Sequence, residues 1–320
     1  MPSALVTGGT DGIGKQVARG LASSGHRVIV VGRDFEKGRR AEGELREASG
    51  NADVTFIQGD LSLVRGAARL AEEVAALEPS LHYLVHGAGF VRGRYVLTDE
   101  GVESNFAVNY VGRFALTKCL LPLLHASGRV GASSRIVVLG GAAQRGRILF
   151  EDPNQTKGFG LIRAIAQFCQ ANDVFTMELA RRLSESGDGA RVSITCLKVG
   201  VVKTGIRREF PTWMKVLVPL VMDPFFANTP VKVASCALEL LLGAPYEGVT
   251  GRHFLMIKRF KPVTANAMTR DPKTGRRLWE LSERIVASAS ATHPRPRATV
   301  HAARSTPSPV PSASGGLEGG

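Results

Sequence analysis

The amino-acid sequence predicts a doubly wound α/β fold, with helices on both faces of a parallel sheet. Six short apolar runs rich in β-branched residues alternate with amphipathic stretches, and strands buried on both faces have this pattern. The stretch "VTGGTDGIG" joins the first run to the first amphipathic stretch. With 320 residues, 44% of them apolar and 22% charged, the chain can bury a substantial core. We expect a single α/β domain with a seven-stranded parallel sheet over residues 1–288.

Strands and helices are expected in regular alternation. The six runs are "ALVTG", "RVIVVG", "VTFIQGD", "LHYLVHGAG", "SRIVVLGG" and "RVSITCLKVG", and a seventh strand is expected near "GRHFLM". Helices are expected at residues 12–24, 36–48, 64–77, 100–125, 163–185, 230–242 and 274–287. Thr229 and Pro230 mark the start of the sixth helix, because threonine can cap a helix and proline suits its first position.

Composition narrows the class of protein. The net charge is +13, but the basic residues are spread along the chain without interleaved aromatic residues, which argues against a nucleic-acid partner and favours small anionic ligands. The four cysteines are scattered and form no CxxC pair, so neither a disulfide framework nor a metal site is expected. Residues 289–320 are rich in Pro, Ser, Ala and Gly and predict a disordered tail.

The sequence predicts a cytoplasmic protein without a transmembrane segment. It opens directly on a strand and a glycine turn rather than on a signal peptide. The longest late apolar stretch, "WMKVLVPLVMDPFF", is interrupted by charged residues and prolines, and it falls short of the roughly 20 apolar residues that a membrane span needs. This stretch is instead expected to cover an apolar ligand or to form an apolar partner surface.

The glycine-rich stretch has the context of a dinucleotide site, because it follows a strand and opens a helix. Gly8 permits a tight turn, Gly12 lets the backbone approach a pyrophosphate, and Gly14 lets helix and strand pack closely. The free N–H groups at the start of the helix can bind the anion.

The spacing Thr7-Gly8-xxx-Gly12-x-Gly14 resembles that of the short-chain dehydrogenase/reductase superfamily, which has a Rossmann fold. "HGAG" at 86–89, "NFAVNYVGRFALT", "VFTMELARRL" and "LKVGVVKTGI" extend the resemblance from residue 4 to about 285, and the chain is most similar to the retinol-dehydrogenase-like and bacterial reductase branch. The resemblance implies a variable substrate lid at about 203–230. The implied cofactor-binding residues are Thr7, Gly8, Gly12, Ile13, Gly14, Arg33, Asp60, Leu61, Ala88, Gly89 and Thr204.

Arg33 bears on the choice of cofactor, since it ends the second strand. A cation there accepts a 2′-phosphate, whereas an acidic residue bonds the ribose hydroxyls. NADP(H) is therefore favoured over NAD(H), although the neighbouring Asp34 and a solvated Arg33 leave NAD(H) open.

The three residues that would carry the family's proton transfer are replaced. Members of the family use a serine, a tyrosine and a lysine, and the resemblance aligns Gly141, Ile165 and Cys169 with them. An alcohol cannot lose hydride unless a group takes its proton, and none of these three side chains can replace that chemistry. No tyrosine of the chain has a lysine four residues later, so no shifted alignment restores the pair.

Other groups could still act at the carboxyl ends of the strands. Lys198 is the candidate base or electrostatic anchor, and Asn109 and Gln144 complete the candidate catalytic set. Lys157 and Arg163 also fall at this edge. His86 is interpreted as a packed, hydrogen-bonded histidine, and Cys169 as an apolar filler rather than a nucleophile.

Three functions follow from this reading. The first is a protein that binds NADP(H), without redox turnover, and carries out cyclisation or isomerisation of an apolar small molecule, or acts as a degenerate member of the family. The second is an atypical NADPH-dependent carbonyl reductase with Lys198 as the substitute acid or base. The third is a non-enzymatic partner of an active relative, and a homo-oligomer through the two long helices is also expected.

Overall fold

Eight strands form one sheet in the computed structural model, which describes residues 1–142, 146–200, 202 and 228–292. The sheet has the order β3-β2-β1-β4-β5-β6-β7-β8. Its strands are β1 Ser3–Thr7, β2 Arg27–Gly32, β3 Val54–Gln58, β4 Tyr83–His86, β5 Ser134–Gly141, β6 Val192–Val199, β7 Arg252–Met256 and β8 Phe260–Val263. The first seven strands pair in parallel, as expected.

The prediction of seven strands is wrong by one. Strand β8 pairs antiparallel with β7, so that Met256 lies opposite Phe260. It has four residues, "FKPV", with a proline and two exposed side chains. Proline interrupts a strand pattern and is tolerated mainly at a sheet edge, which is where β8 lies. A strand this short and irregular gives no periodic signal in the sequence.

The helices lie close to their predicted positions. They are α1 Gly12–Ser23, α2 Phe35–Ser49, α3 Val64–Leu77, α4 Ser104–Phe106, α5 Gly112–Ser127, α6 Leu161–Glu185, α7 Pro230–Leu242, α8 Ala267–Arg270 and α9 Pro272–Thr292. Thr229 caps α7 by accepting a hydrogen bond from the Lys232 N–H, with Pro230 at the first helical position, as predicted. Helix α9 continues past the predicted boundary at residue 288, because Ala289 is buried against the core. Residues 293–320 lie outside the described part of the chain.

Two apolar cores lie on the two faces of the sheet. One face packs against α3, α5, α6 and α9, through side chains such as Leu70, Phe114, Phe175 and Trp279. The other packs against α1, α2 and α7, through side chains such as Leu21, Leu45 and Leu240. This arrangement confirms the doubly wound fold, and it leaves the carboxyl ends of the strands as the edge where a ligand can bind.

The predicted helix at 100–125 contains a π-helical turn, Ala107–Val111, between α4 and α5. The Asn109 side-chain amide donates to the carbonyl oxygens of Phe90, at 2.8 Å, and Asn105, at 2.9 Å. These bonds satisfy carbonyl groups at the widened turn. Asn109 therefore holds the helix backbone open.

Candidate functional site

The glycine turn between β1 and α1 has the geometry of a dinucleotide cradle. Gly8 has a φ of +67° and Gly12 a φ of +53°, a left-handed conformation that favours glycine. A Cβ on Gly14 would overlap the carbonyl oxygen of Gly8, so only glycine lets α1 pack this close to the turn. Helix α1 begins at Gly12, and its first N–H groups have no partner within the helix. The turn fits a pyrophosphate group.

Asp11 places a carboxylate at the start of the same helix. Its side chain accepts a hydrogen bond from the Gly12 N–H at 2.7 Å, and it also pairs with the Lys37 ammonium at 2.5 Å. The lysine offsets the negative charge of Asp11, which would otherwise oppose a bound phosphate.

Thr7 acts inside the protein rather than at the ligand surface. It is fully buried, and its hydroxyl donates to the carbonyl oxygen of Val85 and accepts from the N–H groups of Gly87 and Ala88. Thr7 thereby joins the ends of β1 and β4, the two strands that flank the crevice in which a dinucleotide binds.

Arg33 lies exposed at the end of β2, with its guanidinium 5.5 Å from the centre of the Phe90 ring. The adjacent Asp34 caps α2, since its carboxylate accepts the Lys37 N–H at 2.9 Å. At this strand end the Asp34 carboxylate is therefore engaged in a helix cap, whereas the Arg33 guanidinium is exposed beside the Phe90 ring.

The other predicted cofactor-binding residues differ in how exposed they are. Asp60 is half-buried, and its side chain accepts the Ser62 N–H at 2.9 Å. Leu61 is buried in the core, whereas Ala88 is half-buried and Gly89 is exposed beside the Asn109 side chain. Thr204, Gln144 and residues 203–227 of the lid predicted at about 203–230 lie outside the described residues.

The three positions that the resemblance aligns with the family's catalytic residues hold neither a tyrosine nor a lysine. Cys169 is buried, and its sulfur would lie 2.6 Å from a Cβ on Gly141. The cysteine therefore fills the space into which a serine at 141 would project. Ile165, one turn earlier on α6, packs against the core as a partly buried apolar side chain. These contacts support the interpretation of Cys169 as an apolar filler.

Lys198 is tied into a buried ion pair, which argues against the predicted role as a base. Its ammonium donates to the carboxylate of Asp173, and both side chains are buried. Burial raises the pKa of Asp173, an effect that the charges of Lys198 and His253 partly offset. A lysine held against a carboxylate in this way is a structural cation.

Asp173 also lies beside Cys196 and His253. The possible metal-ligand atoms of these three buried residues lie within 4.8 Å of one another. The sequence predicted no metal site and did not bring these residues together. Burial raises the pKa of the Cys196 thiol well above its ordinary range. The Lys198 ammonium pairs with Asp173 and offsets the charge of its carboxylate. The charge of this carboxylate is thus balanced by a side chain of the protein.

Lys157 and Arg163 lie away from Ile165 and Cys169. They line a cleft of about 390 Å³ together with Arg277 of α9, and Arg163 donates to the side-chain oxygen of Gln155. Arg163 and Ile165 are two residues apart, or about 200° around a helix. Arg163 therefore lies on the opposite side of α6 from the catalytic positions.

His86 is a packed histidine, as predicted. It is fully buried at the end of β4, with Nε2 2.8 Å from the Thr117 hydroxyl and with Nδ1 unpartnered among the described residues. Burial, and then the nearby charge of Arg113, lower the pKa of His86 from 6.5 to about 3. An imidazole with this pKa is neutral at pH 7 and only a weak base there, because a general base works best with a pKa near the operating pH.

We expect this histidine to make folding sensitive to acid. The folded state binds fewer protons than the unfolded state between pH 3 and 6.5, so stability falls as the pH falls below 6.5, by up to about 1.4 kcal/mol per unit. Urea unfolding at pH 7 and pH 5 should show a loss of about 2 kcal/mol that the variant His86→Gln lacks. An equal loss in both proteins would contradict this assignment.

Arg113 is a site residue that sequence reasoning missed. It is buried at 4% exposure, and it donates to the carbonyl oxygens of Ala88, at 2.8 Å, and Leu139, at 2.9 Å. It also donates to the side-chain oxygen of Asn172, at 3.3 Å. A signal was present in the sequence, because Arg113 lies four residues after Asn109 and therefore on the same side of the helix.

Comparison with known proteins identifies the family of the chain. Residues 2–147 match the sequence profile described as short chain dehydrogenase. Retinol dehydrogenase 14 of Homo sapiens is 34% identical over 298 residues, which cover 88% of this chain and 85% of that protein. The chain belongs to the short-chain dehydrogenase/reductase family. Retinol dehydrogenase 12 of Mus musculus is also 34% identical, over 87% of this chain and 84% of that protein, and the predicted retinol-dehydrogenase-like branch is thereby confirmed.

Solved structures support the same family and fold. The Pseudomonas aeruginosa RhlG/NADP active-site complex is 26% identical, with a TM-score of 0.63 over 80% of this chain and 94% of that chain. A short chain dehydrogenase from Shigella flexneri 2a complexed with NADP shares the fold, at 24% identity and a TM-score of 0.60 over 79% of this chain and 96% of that chain. Family members with this fold therefore bind NADP.

The lengths and the apolar character of the helices bear on the predicted absence of a transmembrane segment. Within residues 1–142, 146–200 and 228–292, none of the helices combines the length and the apolar character needed to cross a membrane. The cytoplasmic location remains a prediction.

Proposed function

We propose that this member of the short-chain dehydrogenase/reductase family binds NADP(H) and an apolar small molecule, but lacks the family's usual proton relay. The observation that carries the proposal is the contact between Cys169 and Gly141, beside an apolar Ile165. None of these three side chains supplies the tyrosine hydroxyl or the lysine ammonium with which the family exchanges a proton with a substrate oxygen. Ordinary interconversion of an alcohol and a carbonyl compound is therefore expected to be slow or absent.

Bound cofactor would supply hydride chemistry, and the chain's own residues decide whether a substrate can use it. Non-redox chemistry, such as cyclisation or isomerisation of an apolar substrate, fits a site of this kind. The carbonyl reductase alternative loses support, because Lys198 is paired with Asp173. A non-enzymatic partner role and a homo-oligomer stay predictions.

The preference for NADP(H) rests on Arg33. Its guanidinium is exposed at the strand end where the adenosine ribose of a dinucleotide lies in this fold, and the competing carboxylate of Asp34 is used in a helix cap. Charge-assisted hydrogen bonds to a 2′-phosphate would favour NADPH over NADH.

We expect Arg33→Ala to weaken NADPH binding by roughly tenfold or more and to leave NADH binding nearly unchanged. Fluorescence titration with each reduced nucleotide measures both affinities. Arg40→Ala, which removes another exposed arginine of α2, is the matched control and should change neither affinity. Gly12→Trp blocks the pyrophosphate site and should abolish binding of both nucleotides.

The same titration tests the proposed function. After NADPH has bound, loss of the reduced cofactor is followed in the presence of a panel of apolar ketones and aldehydes. Saturable binding without consumption supports the proposal, whereas rapid consumption would show that another group replaces the relay. If neither nucleotide binds, the proposal fails at its first step.

A further inference from the structure

Arg113 is a buried cation with unused hydrogen-bonding capacity. A guanidinium has five N–H bonds, and three hydrogen bonds are formed, to Ala88, Leu139 and Asn172. Its Nε has no acceptor among the described residues. Structural arginines inside proteins are usually satisfied more completely than this.

The charge of Arg113 also lacks a counter-charge. No aspartate or glutamate of the described chain forms an ion pair with it, and the ionisable groups that interact with it include His86 and the thiols of Cys196 and Cys169. Burial lowers the pKa of Arg113 to about 10, so the side chain is still a cation at neutral pH. Asp173 is not available as a counter-charge, because it forms an ion pair with Lys198.

The sheet topology locates this charge relative to a bound dinucleotide. The strand order reverses between β1 and β4, and a dinucleotide lies across that crevice with one nucleoside on each side. Arg33 lies at the end of β2, on the side of the adenosine half. Arg113 binds the carbonyl oxygens of Ala88, just after β4, and Leu139, near the end of β5, which places it on the other side.

The route from Arg113 to that ligand edge is short. Gly89 is exposed, and a Cβ on it would lie 3.5 Å from an Nη of Arg113. The guanidinium therefore lies directly behind the backbone over which the nicotinamide half would bind.

We propose that Arg113 makes the protein select the reduced cofactor, NADPH, over the oxidised cofactor, NADP⁺. The nicotinamide ring has a positive charge when oxidised and none when reduced, while the phosphate groups are the same in both forms. A fixed cation in a site of low dielectric constant repels only the oxidised ring. The inference rests on the proposed NADP(H) binding, and it implies a resting state with NADPH bound.

The test compares Kd for NADPH and NADP⁺ in the wild-type protein and in three variants. Arg113→Gln removes the charge and retains a donor, Arg113→Lys retains the charge, and Lys118→Gln removes an exposed charge of α5 that pairs with Glu283. We expect the wild-type protein to bind NADPH on the order of tenfold more tightly than NADP⁺. The ratio of the two Kd values should fall towards one in Arg113→Gln and persist in the other two variants.

The outcomes separate the inference from the proposed function. A purely structural role would change both affinities together, so an unchanged ratio in Arg113→Gln overturns the inference. A wild-type ratio near one overturns it without any variant, even if Arg113→Gln does not fold. If the wild-type protein binds neither form, the proposed function fails, and the selection of NADPH fails with it.

Discussion

Restoring the three catalytic side chains should create carbonyl reductase activity. The variant with Gly141→Ser, Ile165→Tyr and Cys169→Lys returns a proton donor and its supporting groups, and general acid–base catalysis contributes roughly 10²–10⁴-fold to rate. We expect NADPH consumption with an apolar aldehyde to rise at least about 100-fold over the wild-type rate. Absorbance of NADPH with a panel of aldehydes measures this directly.

The substitutions must be made together, because Cys169 fills the space in front of Gly141. Gly141→Ser alone should destabilise the protein without adding activity, and Cys169→Ala should relieve that strain. The triple variant with phenylalanine instead of tyrosine at 165 has the same bulk without the hydroxyl, and it serves as the matched control. Equal activity with tyrosine and phenylalanine would contradict the assignment of position 165.

The buried arginine adds a second expectation to this experiment. Cys169 lies close enough to Arg113 for an ionised side chain at position 169 to interact with the guanidinium, so a lysine at 169 would face a second cation. Like charges in a buried site raise the free energy of both. Adding Arg113→Gln to the triple variant should therefore increase the activity further.

Removing the carboxylate of Asp173 should be among the most destabilising single changes in the chain. Asp173→Ala leaves the Lys198 ammonium buried without its partner, and breaking a buried pair on one side costs about 3–5 kcal/mol. Urea unfolding measures the loss. The double variant Asp173→Leu with Lys198→Met removes both charges and should recover most of the stability, since apolar pairs often replace buried ion pairs at little cost.

An exposed ion pair provides the comparison. Glu73→Ala removes the partner of Arg69 on the surface of α3, and such pairs contribute less than about 1 kcal/mol. If Asp173→Ala costs no more than Glu73→Ala, Lys198 reaches solvent in solution. The acid–base role for Lys198 would then return as an explanation of any activity.

The order of strands and helices along the chain could be predicted from the sequence, because it depends on local patterns. Apolar runs, capping residues such as Thr229, and the glycines at 8, 12 and 14 each act over a few neighbouring residues. The replacement of the family's catalytic side chains was equally visible, since it requires only the identities at 141, 165 and 169. The edge strand β8 was missed because four residues with a proline have no period to detect.

The roles of the buried polar side chains were decided only by the tertiary structure. Lys198 was predicted to act as a base. In the structure, α6 places Asp173, which lies 25 residues earlier in the sequence, against the Lys198 ammonium. Arg113 was not predicted as a site residue, because the carbonyl groups that its guanidinium contacts lie at the ends of β4 and β5. The interaction energy of two charges differs between water and a protein interior. The sequence does not show which charged side chains become neighbours there, because the partners are distant along the chain. The sequence alone therefore determined the fold and predicted the replacement of the catalytic side chains, whereas the tertiary structure decided which buried charges of the described residues are paired and that Arg113 lacks a carboxylate partner among them.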